Sequence, residues 1–331
     1  MKINKDTSVF YIICPANYST GGPLLLHQLA YKLISKGYKA MMYYYKTENC
    51  DLNNPVHENY KKFNIPYVLE VDDNSNNIIV IPEVFPEYIF DYKNIQRVIW
   101  WLSVDNFLLT HSKKPSFSLK RFLGLKEKRY YYNFKNKPKH YHWVQSTYAV
   151  NFLKNKKVKD AMYLSDYLDD VFLNDVKNLD FKNLNKQNNI VYNPSKGIEI
   201  TQELINFAPN FNWIPIQNMT PAEVKNLLLT SKVYIDFGNH PGKDRIPREA
   251  AVSGCVVITN KKGSANYFED VTIDELYKFE DVLSNKEKFV NLIDDVFLNF
   301  PDHSDKFEAY RKLLFNEESK FESDLDKILN S

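Results

Sequence analysis

Residues 231–263 read SKVYIDFGNHPGKDRIPREAAVSGCVVITNKKG. An apolar run over Val233–Ile235 ends in Asp236. A loop follows that carries Gly238, Gly242, Lys243 and Arg245. A short helix is predicted from Ile246-Pro247, carrying Glu249 and stopping at Gly254, with a second strand over Cys255–Thr259. Proline suits a first helical turn and glycine suits a helix end, so the punctuation is coherent. The unit is a strand, loop, helix and strand at the edge of a parallel sheet. The N-terminus of its helix, with Lys243 and Arg245 just before it, is a place that attracts phosphate.

The same alternation extends in both directions. Upstream, Ile190–Tyr192 reads as a strand, NPSKG as a loop holding Lys196, and Ile198–Phe207 as a helix. Asn212–Ile216 is a further strand. In TPAEV, Thr220 caps a helix, Pro221 opens it, and Glu223 completes a capping-box variant. Downstream, a helical tail runs from Lys286 to Asn330, with Phe289, Leu292, Val296 and Phe297 as its apolar stripe and a break at Pro301.

The first half opens alike. Val9–Cys14 is a buried strand. PANYSTGGP is a loop, and the helix after it carries Leu25, Leu26, Leu29, Leu33 and Ile34 on one face until Gly37. Lys39–Tyr45 is the next strand. Gly21-Gly22 lets backbone approach a ligand closely. Because Pro23 has no N–H, an anion there would meet the amides of Gly22, Leu24 and Leu25. Strands over Asn77–Pro82 and Val98–Leu102 lead into Glu83 and Asp105. Residues just past strand ends line ligand crevices in open α/β sheets, so either acid is a candidate base for an acceptor hydroxyl. The alternative for both is helix capping. Trp100 and Trp101 point to opposite faces; at least one is core, and one is a candidate sugar platform. His142–Leu153 reads as a strand, a Ser146 cap and a helix, and Met162–Ser165 as a short strand. The polar stretch Asp166–Asn189 marks a boundary. The expected organisation is a first domain over 1–170, a second over 171–303, and a C-terminal helix over 304–331 packing back on the first. The fold class is α/β, with two Rossmann-like doubly wound parallel-sheet domains.

Composition sets limits. A chain of 331 residues suits about two domains. A net charge of +2 gives no global pull toward nucleic acid. Cys14, Cys50 and Cys255 lack metal-ligand spacing, and the sparse set fits a reducing cytoplasm. The N-terminal apolar run is too short for a secretory leader or a membrane span. The expected location is cytoplasmic, or peripheral at the inner face of a membrane. The segment from Lys113 to His142 holds Lys113, Lys114, Lys120, Arg121 and Arg129 among interleaved aromatics. It reads as a solvated face, as a contact with anionic headgroups or a lipid-diphosphate acceptor, or as a single-stranded nucleic-acid surface; no nucleic-acid motif supports the last. His140 and His142, two apart, are expected on opposite faces and not as a metal pair. No Asp-x-Asp motif ends a strand, and Asp72-Asp73 and Asp169-Asp170 read as turn or cap residues. No metal and no cofactor are expected.

The ordered set resembles the GT-B glycosyltransferases, especially their group 1 (family 4) members. The matching elements are Lys196-Gly197 after a strand, then Pro247, Glu249, Ala250, Gly254 and Val257, with STGGPLLLHQLAYKLISKGY at the front. The resemblance implies two domains facing a cleft that closes on the substrates, with a nucleotide diphosphate sugar as co-substrate. It implies that Glu249 binds the ribose hydroxyls and Lys196 the diphosphate, and that Gly21 and Gly22 let the first-domain loop approach the donor. Asn193 stands where many relatives have arginine. The first glutamate of the relatives' glutamate pair is replaced by Pro241. Lys243 or Arg245 is therefore expected to stabilise the leaving group, with Gly238, Gly242 and the amides near Ile246 around the diphosphate. Asp105 is the first candidate base, and Glu83 with the basic segment is a candidate acceptor or membrane contact. The expected activity is transfer of a sugar to a glycan or lipid-linked acceptor in surface polysaccharide synthesis. The alternatives are a nucleotide-sugar epimerase or hydrolase of the same fold, a non-catalytic binding subunit, and, on the basic segment alone, an RNA binder.

Overall fold

Strands that are apolar on both faces need cover on both sides, and alternating strands with helices supplies it. Val9–Pro15 (β1), Lys39–Tyr45 (β2), Tyr67–Val68 (β3), Ile78–Pro82 (β4), Gln96–Trp101 (β5), Tyr141–Val144 (β6) and Ala161–Tyr163 (β7) form one sheet in the order β3-β2-β1-β4-β5-β6-β7. Gln187–Tyr192 (β8), Asn212–Pro215 (β9), Ser231–Asp236 (β10), Val256–Asn260 (β11) and Lys278–Phe279 (β12) form a second, in the order β12-β11-β10-β8-β9. Every pairing in both is parallel. The computed structural model describes residues 1–45, 53–111, 132, 134–135, 137–181 and 185–331.

The chain divides into two compact units: Met1–Ser165 with Phe321–Ser331, and Asp166–Lys320. The sequence places the first boundary at 170 and starts the returning segment at 304; the chain crosses earlier and returns later. Each unit has its own aliphatic and aromatic core. In each sheet the strand order reverses once, between β1 and β4 and between β8 and β10. Ligands of open α/β sheets gather beyond the carboxyl ends of the strands at such a reversal.

Local signals set several boundaries. The helix Ile198–Phe207 and β2 match their sequence readings. Ser146 Oγ accepts from the Ala149 amide at 3.1 Å, and the Thr220–Glu223 capping box is complete. Others shift. The first helix spans Gly21–Ser35 and is buried nearly all round over its first half, whereas Ile34 is 38% exposed and leaves the expected apolar face. The tail has three breaks where one was expected, with helices over Lys286–Leu298, Phe300–Asp305, Glu308–Phe315 and Glu317–Leu329. Trp100 and Trp101 are both fully buried. Their indole nitrogens donate to the Leu164 carbonyl and to His142 Nδ1, so neither ring is a sugar platform. His140 and His142 are brought together, ring centroids 4.6 Å apart, which corrects the expectation of opposite faces: side chains two apart on extended chain share a face. His140 bonds to Pro138 and Tyr132, while His142 Nδ1 accepts from Trp101.

Candidate functional site

At the reversal of the second sheet, two loops meet backbone to backbone. After β8, Asn193 Oδ1 accepts the Ser195 amide at 3.0 Å and the Asn193 carbonyl accepts the Lys196 amide at 3.2 Å. Asn193 thus shapes the turn that presents Lys196. Gly197 follows with φ of 60°, a left-handed conformation that glycine adopts without strain. After β10, the Gly238 amide donates to Asp236 Oδ1 at 3.0 Å. A Cβ on Gly197 would lie 2.8 Å from the Phe237 carbonyl, and one on Gly238 would lie 2.5 Å from Lys196 Cβ. Both glycines are set by this contact, which holds the Lys196 turn against the β10 loop. The expected role of the Gly238 amide at a phosphate is overturned, because that amide is used internally.

A chain of alternating charge runs through the junction. Lys196 Nζ lies 2.8 Å from Asp244 Oδ2. His240 Nδ1 lies 3.1 Å from the same oxygen, and His240 Nε2 lies 3.8 Å from Asp236 Oδ1. The imidazole is 1% exposed. Burial alone would discharge it, but Asp244 and Asp236 outweigh burial and hold its pKa above the ordinary value. Burial also disfavours the Asp244 carboxylate, yet His240 and Lys196 bring its pKa below the usual range. Asp236 is pushed up by burial, which His240, Lys196 and the Gly238 amide only partly offset. Among the described residues, these three side chains alone bring His and Asp donor atoms within 4.8 Å of one another, the spacing a metal needs. Here the charges already alternate, with an ammonium and an imidazolium against two carboxylates.

Arg245–Val252 forms the helix read from the opening stretch, starting one residue before Ile246. Asp244 stands at its N-cap position, but its side chain turns to His240 and Lys196 and makes no cap bond. Arg245 pairs with Glu249 one turn on, at 2.7 Å; Glu249 is 7% exposed. Ile246 is half-buried against the apolar core, and the Gly242 carbonyl accepts from Ser264 Oγ at 2.6 Å. Lys243 departs most from its expected role. Its ammonium sits 2.6 Å from Glu317 Oε1 and 3.8 Å from Asp166 Oδ1. Arg248, which the sequence reading passed over, completes that network, with Nη2 2.6 Å from Asp166 Oδ2 and Nη1 2.7 Å from Glu317 Oε2. The guanidinium is fully buried and strongly favoured in its charged form, since the two carboxylates outweigh desolvation. Lys243 therefore serves the scaffold. Arg248 had a signal in its place: it stands between Pro247 and the apolar run Ala250–Val252, on the side of the helix that packs inward, whereas Arg245 stays partly exposed beside Glu249. The spacing Asp236, His240, Asp244, four residues apart each time, was a second unread signal.

The reversal of the first sheet is plainer. The Leu24 amide donates to the Thr20 carbonyl at 3.1 Å, which corrects its expected role toward an anion. The residues whose amides precede the intrahelical ladder are Gly21 and Gly22. A Cβ on Gly22 would meet only Leu102 Cδ1, at 4.0 Å, so packing does not demand glycine there. Glu83 is 2% exposed, and its carboxylate accepts from the Leu102 amide at 2.8 Å. Burial pushes its pKa up to about 8 despite those amide bonds. Its burial contradicts a membrane contact. Asp105 is half-buried and accepts from the Tyr148 hydroxyl at 2.6 Å; the cap bond expected of it is made by Ser103, whose Oγ accepts the Asn106 amide. Asp73 binds the amides of Lys93, Asn94 and Ile95, as a turn residue does. Lys113, Lys114, Lys120, Arg121 and Arg129 lie outside the described residues.

Among solved structures, Anabaena HepE in complex with UDP is similar over 98% of this chain and 100% of its own, at 10% identity with a TM-score of 0.62. Sucrose-phosphate synthase from Thermosynechococcus elongatus is similar over 98% of each chain, at 11% identity with a TM-score of 0.63. The chain has the GT-B fold. Within that fold, Staphylococcus aureus TarM, solved with UDP, is similar over 78% of this chain at 14% identity and a TM-score of 0.52; the chain spans 56% of TarM's length. No protein-family model matches the chain, and no curated protein matches it in sequence. The strand-end reversals of this GT-B chain are the positions that the fold makes available to ligands. No helix among the described residues is long and apolar enough to cross a membrane.

Proposed function

We propose that this protein is a glycosyltransferase that takes its sugar from a nucleotide diphosphate sugar bound at the β8–β10 reversal. The observation that carries the reading is the meeting there of Lys196, Arg245, Glu249 and a helix N-terminus, on a fold whose similar structures include one solved with UDP. Charge develops on the departing diphosphate, and cations and helix amides fixed in place stabilise it without reorganising. Lys196 takes the diphosphate. Glu249 takes the ribose hydroxyls and passes its hold on Arg245 to the phosphates, so that Arg245 inherits the role expected of Lys243. In the first unit, Gly21 and Gly22 offer free amides to a phosphate or sugar, and Asp105, oriented by Tyr148, is the acceptor base. The acceptor is a glycan or a lipid-linked glycan of a surface polysaccharide, met at the cytoplasmic face of a membrane by the basic segment. Transfer proceeds without a metal, because a divalent ion among Asp236, His240 and Asp244 would have to displace the Lys196 ammonium and the ring proton of His240.

Two assays test this. A thermal-shift panel of UDP, GDP, ADP and dTDP should show selective stabilisation by one of them, because only the folded state binds it. Release of that nucleotide from the matching donor should require an acceptor and should survive EDTA. Release without acceptor would make the protein an epimerase or hydrolase. Binding without release would make it a non-catalytic subunit.

A further inference from the structure

The least expected feature of the second unit is a histidine buried between two aspartates, one of which also holds Lys196. Asp236 faces His240 from β10, and Asp244 faces it from its own loop. Lys196 reaches Asp244 from the loop after β8. Lys243, Arg248, Asp270 and Tyr310 line a small cavity beside the ring. Lys243 and Arg248 are themselves neutralised by Asp166 and Glu317.

We propose that His240 is a positioning residue for the donor diphosphate: charged, it shares the Asp244 carboxylate with Lys196 and so leaves part of the ammonium's charge to phosphate, and uncharged, it leaves Asp244 to Lys196 alone. The inference rests on the donor reading above. With the imidazolium present, two positive and two negative charges alternate and the buried chain is neutral. Loss of the ring proton leaves one uncompensated carboxylate in a low-dielectric setting, where it attracts the only other cation in the chain and repels an incoming diphosphate. The sign follows from the raised pKa of His240. The charged state is fully present below the ordinary value of 6.5 and is lost as pH rises through the elevated folded value. Diphosphate affinity should fall in that same window.

The test is calorimetric titration of UDP, with GDP, ADP and dTDP in parallel, between about pH 6 and pH 9. Affinity of the wild-type protein should fall about tenfold as pH rises, the equivalent of about one pKa unit of coupling. His240→Asn keeps a donor for Asp244 without the charge. It should bind about tenfold more weakly at the acid end, with a profile that has lost the wild-type fall; ionisation of the nucleotide itself is common to both proteins and cancels. In a Lys196→Ala background, His240→Asn should change affinity less than about twofold, because the histidine acts through the lysine. A histidine that only supports the fold would cost the same in both backgrounds and overturn the proposal. So would a wild-type fall retained in His240→Asn. Should that variant fail to fold, Asp244→Asn, which leaves the ring in place, makes the same test: a flattened profile supports the proposal and an unaltered one overturns it. A wild-type protein that binds none of UDP, GDP, ADP and dTDP at any pH refutes the donor reading itself. Binding with a pH profile indifferent to His240 refutes only this inference.

Discussion

The two strand-order reversals of this molecule have the same topology and opposite chemistry. Between β1 and β4 the carboxyl that stands out among the described residues is Glu83, buried and satisfied by backbone amides. Between β8 and β10 runs a chain of four charged side chains, Lys196, Asp244, His240 and Asp236, with Arg245 and Glu249 on the adjoining helix. Parallel strands bring loops together in both places, and among the described residues it is the second that fills them with paired charge. A buried ion chain is a poor way to gain stability, since desolvation offsets most of the attraction. Its place at a strand-order reversal, where ligands of open α/β sheets gather, is what the donor reading rests on. Glu83 points the other way, to an edge whose polar interactions are made by backbone.

Variants at each reversal would break or sharpen that contrast. The largest effect is expected at Arg248→Met. It strands Asp166 and Glu317 with only Lys243 as partner and should cost about 3–5 kcal/mol in chemical denaturation. An effect under about 1 kcal/mol would mean that the network is solvated and the second reversal no more built than the first. Next is Glu83. Its folded pKa is pushed from 4.5 to about 8 by burial, so the stability of its neutral form is fully present below 4.5 and is lost as pH rises through about 8. Glu83→Gln should abolish that decline, worth a few kcal/mol, in urea midpoints followed across the window. Parallel decline in both proteins would show that Glu83 is charged and the two edges are alike.

Glu249→Ala should weaken nucleoside diphosphate binding about thirtyfold, near 2 kcal/mol for hydrogen bonds to a charged group, with an unchanged melting curve for the free protein. Unchanged affinity for every nucleotide tested would remove the ribose assignment. The smallest effect is the control, Thr220→Ala, which opens a capping box remote from both reversals. It should cost about 1 kcal/mol of stability and leave nucleotide affinity untouched.

Much of the fold was legible because its signals are local. Thr220, Pro221 and Glu223 fix a helix start within four residues, and Ser146 does the same elsewhere. Strand runs such as 9–14 and 98–102 announce burial on both faces, and the order of elements follows. The site was legible only in outline. Lys196 was singled out by its place after a strand end and Glu249 by the family resemblance, but their partners were not read, because pairing is decided in three dimensions. Arg248 meets Asp166 and Glu317 across 82 and 69 residues, and Lys243 is drawn into the same network from a loop that looked open. The meeting of His140 with His142 was legible and misread: side chains alternate with a period of two, so residues two apart on extended chain share a face.

The central claim is that the diphosphate of a nucleotide sugar sits at the β8–β10 reversal. A crystal structure of the protein grown with the nucleoside diphosphate that stabilises it most would test this directly. The phosphates should lie within hydrogen-bonding distance of Lys196 Nζ and the first amides of the Arg245–Val252 helix, with the ribose on Glu249. A nucleotide bound at the first sheet alone, or one whose phosphates leave Lys196 on Asp244 and untouched, would contradict it.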